Sequence, residues 1–336
     1  MQKFTIIADM ITLCIHQTTT DPYFNLAAEE YFLKNYREDF FMLWRSVPTV
    51  VVGKHQNALA EINHRFVQAH RIPVARRLSG GGTVFHDLGN LNFTFIRSVE
   101  KIHELSFRDF TLPIVQALQV AGVEAYTTGR NDLQIEGKKI SGNAEHVHKN
   151  RVLHHGTLLY NSELQALKGT LNVDLSRFEG KAVQSNRSEV TNIACHLSDP
   201  MKVEDFGTLL FEEIMSRLPG VQQYEPTLSD RQAIEKLSEE KYRTWDWIYG
   251  YSPRYRYTHH LETQKGAIHL SLSVEKGLIV EASICGAIST SLSQQLAKEM
   301  LECRHDSDEI KSRISGLHSL LLTEGIDSKA LLNVLF

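Results

Sequence analysis

Residues 76–90, RRLSGGGTVFHDLGN, set two arginines before three consecutive glycines and run on into a short apolar segment that holds His86. Three glycines in a row are costly to order, because glycine loses the most backbone freedom on folding. A chain keeps such a run where its backbone must approach something closely. Bare N–H groups in a turn of this kind form a concavity suited to an anion, and Arg76 or Arg77 adds charge and a bidentate fork. A flexible surface turn between two strands is the plain alternative. The flanking arginines and His86 tip the reading towards a site.

Working outward, a helix over about residues 57–70 and a strand at 72–76 lead into the glycines, and 90–96 reads as the strand that leaves them. Upstream, FFMLWRSVPTVVVGKHQN (40–57) holds two β-rich runs, 40–44 and 49–53, joined by a short turn. Their near-continuous apolarity reads as a strand pair buried on both faces. Residues 4–16 alternate as a first strand. Asp21-Pro22 then opens a helix to about residue 35, with Asp as cap and Pro at the first helical position. Glu29 and Glu30 on it read as solvated, with one of them free to face a pocket.

Downstream, 107–121 reads as an amphipathic helix despite Pro113, and GRND (129–132) precedes a strand at 133–135. Glu136-Gly137 is a turn, and Lys138-Lys139-Ile140-Ser141-Gly142 returns extended. VLHHGTLLY (152–160) is another strand, 161–171 helix or loop, and the chain to 189 an irregular connection. Helices near 203–218 and 230–242 precede WDWIYG (245–250), whose tryptophans read as core anchors. Residues 252–260 read as a linker. Beyond them lies a hairpin in which Ile268, Leu270, Leu272 and Val274 alternate up to the turn at 275–277, and Leu278, Val280, Ala282 and Ile284 alternate back. Helices over 291–303, 307–315 and 326–335 complete a tail without a dense cluster of catalytic residue types. The division expected is 1–251 and 261–336, in an α+β fold of mixed and antiparallel sheets flanked by helices.

A composition 42% apolar and 23% charged belongs to a folded globular protein. The net charge of −4 argues against nucleic-acid binding, which wants a basic field. The apolar N-terminus is broken by Asp9, too short to span a bilayer, and lacks a secretory cleavage pattern, so no membrane role is expected. Cys14, Cys195, Cys285 and Cys303 form no C-x-x-C pair, which suits a reducing, cytoplasmic setting where they serve as small buried hydrophobes. His146-x-His148 can place two rings on one face of a strand, but no cysteine or suitably spaced carboxylate completes a metal set. The Arg-Gly turn, Asn131-Asp132, Lys138/Lys139 with Ser141, and His154-His155-Gly156-Thr157 remain, each at a strand end or turn. Glycines for anion approach, a lysine and a carboxylate suited to Mg²⁺ read as a nucleotide-handling site. The chain has neither a P-loop nor the glycine spacing of a dinucleotide fingerprint.

ARRLSGGGTVFHDLGNLNFTF, GRNDLQIEGKKISGNA and HHGTLL, in this order, resemble the lipoate-protein ligases of the biotinyl/lipoyl ligase superfamily. DPYFNLAAEE, LWRSVPTVVVGKHQN and TWDWIYG match the same family, so the likeness spans residues 15–255, and the tail resembles the small C-terminal domain of the bacterial two-step ligases. The resemblance implies a class II synthetase-like catalytic domain with a small α+β accessory domain. It implies that free lipoate is activated with ATP and Mg²⁺ to lipoyl-AMP. The lipoyl group then passes to one lysine of an apo lipoyl domain, in 2-oxoacid dehydrogenase acyltransferase subunits or the glycine cleavage H protein.

By the same resemblance Lys139 is the catalytic lysine, and Arg77, Ser79, Gly80, Gly81 and Gly82 line the acyl-adenylate. His86 and His155 lie close to that intermediate. Asn131 and Asp132 face the nucleotide, Asp132 as a hard oxygen ligand for Mg²⁺. Glu29, Ser141 and Thr157 are further contacts, and Trp44 with the valines 50–52 walls the acyl slot. One departure is Glu145-His146, where relatives often carry an arginine. The related octanoyltransferases use a cysteine nucleophile. Cys195, in TNIACHL, stands outside the motifs, so direct attack on an adenylate is expected. A lipoyltransferase that uses preformed lipoyl-AMP is the alternative, disfavoured by the C-terminal domain, and an amidotransferase that moves lipoyl groups between proteins without ATP activation stays open beside it. From another class altogether, a silent lipoate-binding protein would leave the lysine and Arg-Gly apparatus without a role.

Overall fold

The computed structural model describes residues 11–99, 106–129, 132–171, 174–185 and 188–336. Its largest element is an eight-stranded mixed sheet in the order β12-β1-β2-β6-β10-β9-β8-β7. The strands are β1 (Thr12–His16), β2 (Asp39–Trp44), β6 (Asn90–Ser98), β7 (Tyr126–Thr128), β8 (Asp132–Ile135), β9 (Lys138–His148), β10 (Arg151–Leu159) and β12 (Val221–Gln223). β1 runs parallel to β12 and β2, and every other pairing is antiparallel. Of the expected first strand, 4–10 lies outside the described residues.

One face of this sheet packs on α4 (Phe107–Val120) and α6 (Val203–Met215), with Phe41, Phe93, Phe110, Ile114, Phe206 and Leu210 all essentially inaccessible. The opposite face meets α1 (Pro22–Asn35) and α7 (Leu228–Leu237), and beyond them a three-stranded sheet. That small sheet has the order β4-β3-β5, from β3 (Thr49–Val52), β4 (Val74–Arg76) and β5 (Val84–His86). The runs read as one strand pair therefore belong to different sheets: β2 is central in the large sheet and β3 central in the small one. Both are buried on two faces, and hydrophobicity cannot say which partner a doubly buried strand will take.

α1 starts as its sequence dictates, with the Asp21 side chain accepting the N–H groups of Tyr23 and Phe24 and Pro22 at the first position. Its two carboxylates are not solvated: Glu29 and Glu30 are 1% and 3% exposed. Burial pulls the Glu30 pKa up, but Lys241 and Lys34 and the Tyr242 hydroxyl together hold it below its ordinary value. The single helix expected before the glycines is two, α2 (Ala58–Glu61) and α3 (His64–Ala69), because the Asn63 side chain caps a fresh start by accepting from Phe66 N–H. α5 (Leu164–Thr170) follows β10.

The C-terminal unit is a sheet in the order β11-β13-β14-β15 covered on one face by four helices. Its strands are β11 (Phe178–Gly180), β13 (Tyr255–Thr263), β14 (Gly266–Glu275) and β15 (Leu278–Gly286), and its helices α8 (Thr290–Met300), α9 (Ser307–Ile314), α10 (His318–Thr323) and α11 (Ser328–Asn333). The segment read as a linker is thus largely strand, with Tyr255, Tyr257 and Leu261 buried between exposed Arg256, Thr258 and His260. The hairpin turns at Lys276-Gly277, both at positive φ. A bulge at Ser273/Val274 shifts the return strand by one, so Ile279 is buried while Leu278 and Val280 are exposed. WDWIYG folds as a π-helical turn in which Ile248, not the tryptophans, is fully buried. Of the cysteines, Cys14 and Cys303 are buried as expected, but Cys195 and Cys285 are exposed.

Candidate active site

The site lies between the pocket-facing side of the large sheet and the small sheet, in a cavity of about 660 Å³. Strand alternation selects its floor. Leu91, Phe93 and Phe95 of β6 enter the core, which leaves Asn90, Asn92 and Thr94 on the other face. In register, Trp44 stands opposite Asn92 and Asn92 opposite Thr157, while Thr94 stands opposite His155. Thr157 Oγ1 accepts from Gly142 N–H at 3.3 Å, and Gly142 is paired with Asp132. One cross-strand row therefore runs from Trp44 to Asp132.

A buried chain of hydrogen bonds ties this floor to the glycine loop. Trp44 Nε1–H donates to Thr94 Oγ1 (3.0 Å), and Thr94 donates to Glu29 Oε1 (2.6 Å). The same carboxylate lies 2.9 Å from His155 Nδ1, and His155 Nε2 lies 2.6 Å from Ser79 Oγ. Arg77 completes the chain, donating Nε–H to Ser79 Oγ (2.9 Å) and the rest of its fork to the carbonyls of Val51, Gly80 and Gly82. The loop is pinned through its carbonyls. Gly81 sits at φ +86°, and a side chain on Gly53 would come within 2.1 Å of Gly81 O, so both glycines answer to the close approach of these two backbones.

Arg76 has no such duty. Its guanidinium is wholly buried and donates to the carbonyls of Gly53, Lys54, Gln56, Trp247 and Ile248 and to Ser252 Oγ, leaving no fork for an anion. Arg77, fixed as it is, still lines the cavity. Burial lowers the pKa of both arginines to about 10.

Lys139 Nζ lies 2.9 Å from Asp132 Oδ1, both side chains about a quarter exposed. A Cβ on Gly142 would fall 3.2 Å from Lys139 Cε and Nζ, so that glycine leaves the lysine its room. Lys139 also lines a second, more apolar cavity of about 600 Å³, bordered by Phe85, Leu159 and Leu167. Thr83, Gly142, Thr157 and Ser185 border both cavities, so the ammonium stands at their junction.

Most of the expected residues meet here. Trp44, Arg77, Gly81, Gly82, His86, Asp132, Lys139, His155 and Thr157 line the first cavity, and Ser141 the second. Gly80, Ser79 and Glu29 stand behind the wall through the bonds above. Asn131 lies outside the described residues. His86 is 4% exposed with Nδ1 lacking a partner among the described residues, and burial, then Arg77 and His155, drives its pKa to about 3, so it is neutral. Of the valines 50–52 only Val51 faces the cavity; Val50 and Val52 alternate into the opposite core. Lys138 is exposed and pairs with Glu189, and His154 points away between Glu145 and Asn143. Cys195, in a short turn, borders neither cavity. Among the described residues no three His, Cys, Asp or Glu side chains are placed to hold a metal ion, His146 and His148 included. Asn92 and Thr94 were missed, although period-2 alternation through NLNFTF already places them together. Gln56, Glu61 and Ser185 carried no comparable signal.

Residues 21–215 match the model of the lipoyl protein ligase A/B catalytic domain, and 252–335 that of the bacterial lipoate protein ligase C-terminus. The chain belongs to the lipoate-protein ligase family. Within that family, lipoate–protein ligase 1 of Staphylococcus aureus is 42% identical, over 88% of this chain and 91% of its own. The lipoate-protein ligase LplJ of Bacillus subtilis is 40% identical, over 81% and 83%. The fold is shared with Plasmodium falciparum LipL1, solved in complex with lipoate (TM-score 0.61, 24% identity, 96% and 97% coverage). It is shared too with the bipartite ligase of Thermoplasma acidophilum (TM-score 0.62, 24% identity), which covers 72% of this chain and 97% of that one.

Proposed function

We propose that the chain is an ATP-dependent lipoate-protein ligase that joins lipoate to ATP as lipoyl-AMP and then moves the lipoyl group to a lysine of apo lipoyl domains. The observation that carries this reading is the Lys139 ammonium at the junction of two cavities, oriented by Asp132 at 2.9 Å. The acyl chain lies over Trp44, Val51 and Val84 in the first cavity. The nucleoside takes the more apolar second one, and the acyl–phosphate junction lies against Lys139.

In the first half-reaction a lipoate carboxylate oxygen attacks the α-phosphorus, the bond to the β-phosphate breaks and pyrophosphate leaves. Lys139 lowers the cost of bringing two anions together and stabilises charge on the non-bridging oxygens. In the second, the acceptor amine attacks the acyl carbon, the C–O bond to phosphate breaks and AMP departs with the amine's proton lost. The Glu29–His155–Ser79–Arg77 chain holds the loop still during both steps, so orientation is set before the substrates arrive. Neutral His86 can offer a hydrogen bond to the intermediate without adding a charge.

Mg²⁺ fits as a substrate-borne cation. It is commonly held by one or two carboxylates together with phosphate oxygens. Asp132 is a half-buried carboxylate at the cavity edge, and Thr128, paired with it in register, has a buried hydroxyl without a partner among the described residues. Asp132, assisted by Asn131, would hold the cation, which neutralises phosphate charge. Residues 1–251 carry the chemistry and 261–336, entered through β13, form the accessory unit. The acceptors are the lipoyl domains of 2-oxoacid dehydrogenase acyltransferase subunits and the glycine cleavage H protein. No described helix is long and apolar enough to cross a membrane, in keeping with a cytoplasmic setting.

The test is incubation with ATP, Mg²⁺, lipoate and an apo lipoyl domain, read by intact mass. The ligase reading predicts a lipoyl mass increment that requires ATP. Transfer only from synthetic lipoyl-AMP, with no pyrophosphate from ATP and lipoate, would reduce the protein to a transferase.

A further inference from the structure

Residues 178–185 leave the C-terminal sheet as its edge strand and end as part of the wall of the first cavity. Phe178 and Gly180 pair with Tyr257 and Tyr255. Val183 N–H then donates to His55 O at 3.3 Å, and Ser185 enters between the glycine loop and α2. Its hydroxyl donates to Glu61 Oε2 at 2.5 Å and accepts from Thr83 N–H at 2.8 Å and Gln56 Nε2 at 3.1 Å, while its N–H donates to Glu61 Oε1 at 3.3 Å. Gln56 Oε1 in turn takes Gly53 N–H and the Thr83 hydroxyl, each at 2.8 Å. Gly82 makes the contact possible, since a Cβ there would stand 3.0 Å from Ser185 Oγ. Further on, Lys139 N–H donates to Glu189 O and Thr191 N–H to Lys139 O, so the same connection also grips the backbone of the lysine.

We propose that Ser185, gripped by the buried Glu61 carboxylate, is a positioning residue that fastens this segment to the glycine loop and so keeps water from the acyl–phosphate anhydride. The inference rests on the ligase reading. Lys181, Val183 and Gln184 are exposed, so the approach of the segment to the loop is decided by hydrogen bonds rather than by apolar burial. The strongest of these is charge-assisted. The one donor and both acceptor positions of the Ser185 hydroxyl are filled by Glu61, Thr83 and Gln56, so its role is to place backbone, with Val183, Gln184 and Ser185 closing one wall of the cavity. Released, that wall admits water. Water then adds to the acyl carbon, the C–O bond to phosphate breaks, and lipoate and AMP are lost with a proton released and no acceptor modified.

The readout is AMP formed per lipoyl group transferred, with ATP, Mg²⁺, lipoate and apo lipoyl domain. Ser185→Ala should raise that ratio about tenfold, the worth of one hydrogen bond to a charged partner, with the melting temperature lowered by no more than a few degrees. Glu61→Gln should fall between, and Ser185→Thr, which keeps the hydroxyl, should return towards the wild-type ratio. A wild-type ratio in Ser185→Ala overturns the proposal while leaving the ligase reading intact. A wild-type chain that makes no lipoyl-AMP overturns both.

Discussion

The two large sheets of this molecule carry similar strand chemistry to opposite ends. Each turns one face to a helical core and places polar residues on the other, in the large sheet alongside a second apolar core that includes Phe40, Met42, Ile96 and Leu153. On the C-terminal sheet, Arg256, Thr258, His260, Ser271 and His269 meet solvent along a face that none of the described helices of its core covers. On the large sheet, Asn92, Thr94, His155 and Thr157 hold the equivalent face beneath a second, smaller sheet, and nearly all are buried. Buried polar groups must be paired, because an unmet one costs about 1–3 kcal/mol. That requirement forces the chain from Trp44 to Arg77 into a single arrangement. A polar sheet face becomes a site when something covers it.

Several substitutions would break or sharpen that contrast. The largest loss of stability belongs to Arg76→Ala, which strands five backbone carbonyls around a buried cavity. Two unmet acceptors alone predict a loss of at least about 2 kcal/mol, read as the urea midpoint. A loss under half of that would mean the carbonyls find other donors. Glu29→Gln comes next: it keeps the shape of the chain but removes the charge facing His155. Lipoyl-AMP formation should fall by roughly 10- to 100-fold, the worth of one charge-assisted bond, with the melting temperature little changed. Undiminished turnover would detach the chain from catalysis.

Acid should tell on the covered face through His86. Its pKa falls from 6.5 to about 3 on folding, so the unfolded chain takes up a proton that the folded chain refuses. The stability that depends on neutral His86 is full above pH 6.5 and drains away as pH falls towards 3. His64 and His305, held at about 4 beside the C-terminal unit, act in the same sense. His86→Phe should therefore remove about 1–2 kcal/mol of the loss between pH 7 and pH 5, measured by urea unfolding at both. An identical loss would show that His86 is protonated in the fold. Smallest of all is Ser271→Ala on the open sheet face, expected within about 0.5 kcal/mol of wild type with unaltered activity. A larger effect would mean that this face, too, is covered.

The first helix cap and the glycine turn were legible because each depends on residues close together in the chain, although the equally local Asn63 cap was missed. Asp21-Pro22, Lys276-Gly277 and Gly81 are local devices and stand where the sequence puts them. That Lys139 and Asp132 would share one cavity was also legible, from motif order rather than from any local pattern. What escaped depends on partners far away in sequence. Glu29 reads as solvated until Thr94 and His155 are brought to it. Arg76 reads as a ligand fork until five carbonyls consume it, and residues 252–260 read as a linker until β14 pairs with them. Val50 and Val52 were lost for a nearer reason: in a strand buried on both sides every residue looks alike, and only the second sheet says which side faces the cavity.

Single-turnover formation of lipoyl-AMP from ATP and lipoate by Lys139→Ala, beside a melting curve of the same variant, tests the central claim most directly. The ammonium at the junction predicts a loss of two orders of magnitude or more (roughly 3 kcal/mol of electrostatic stabilisation), at an unchanged melting temperature. Adenylate formed at the wild-type rate would contradict it.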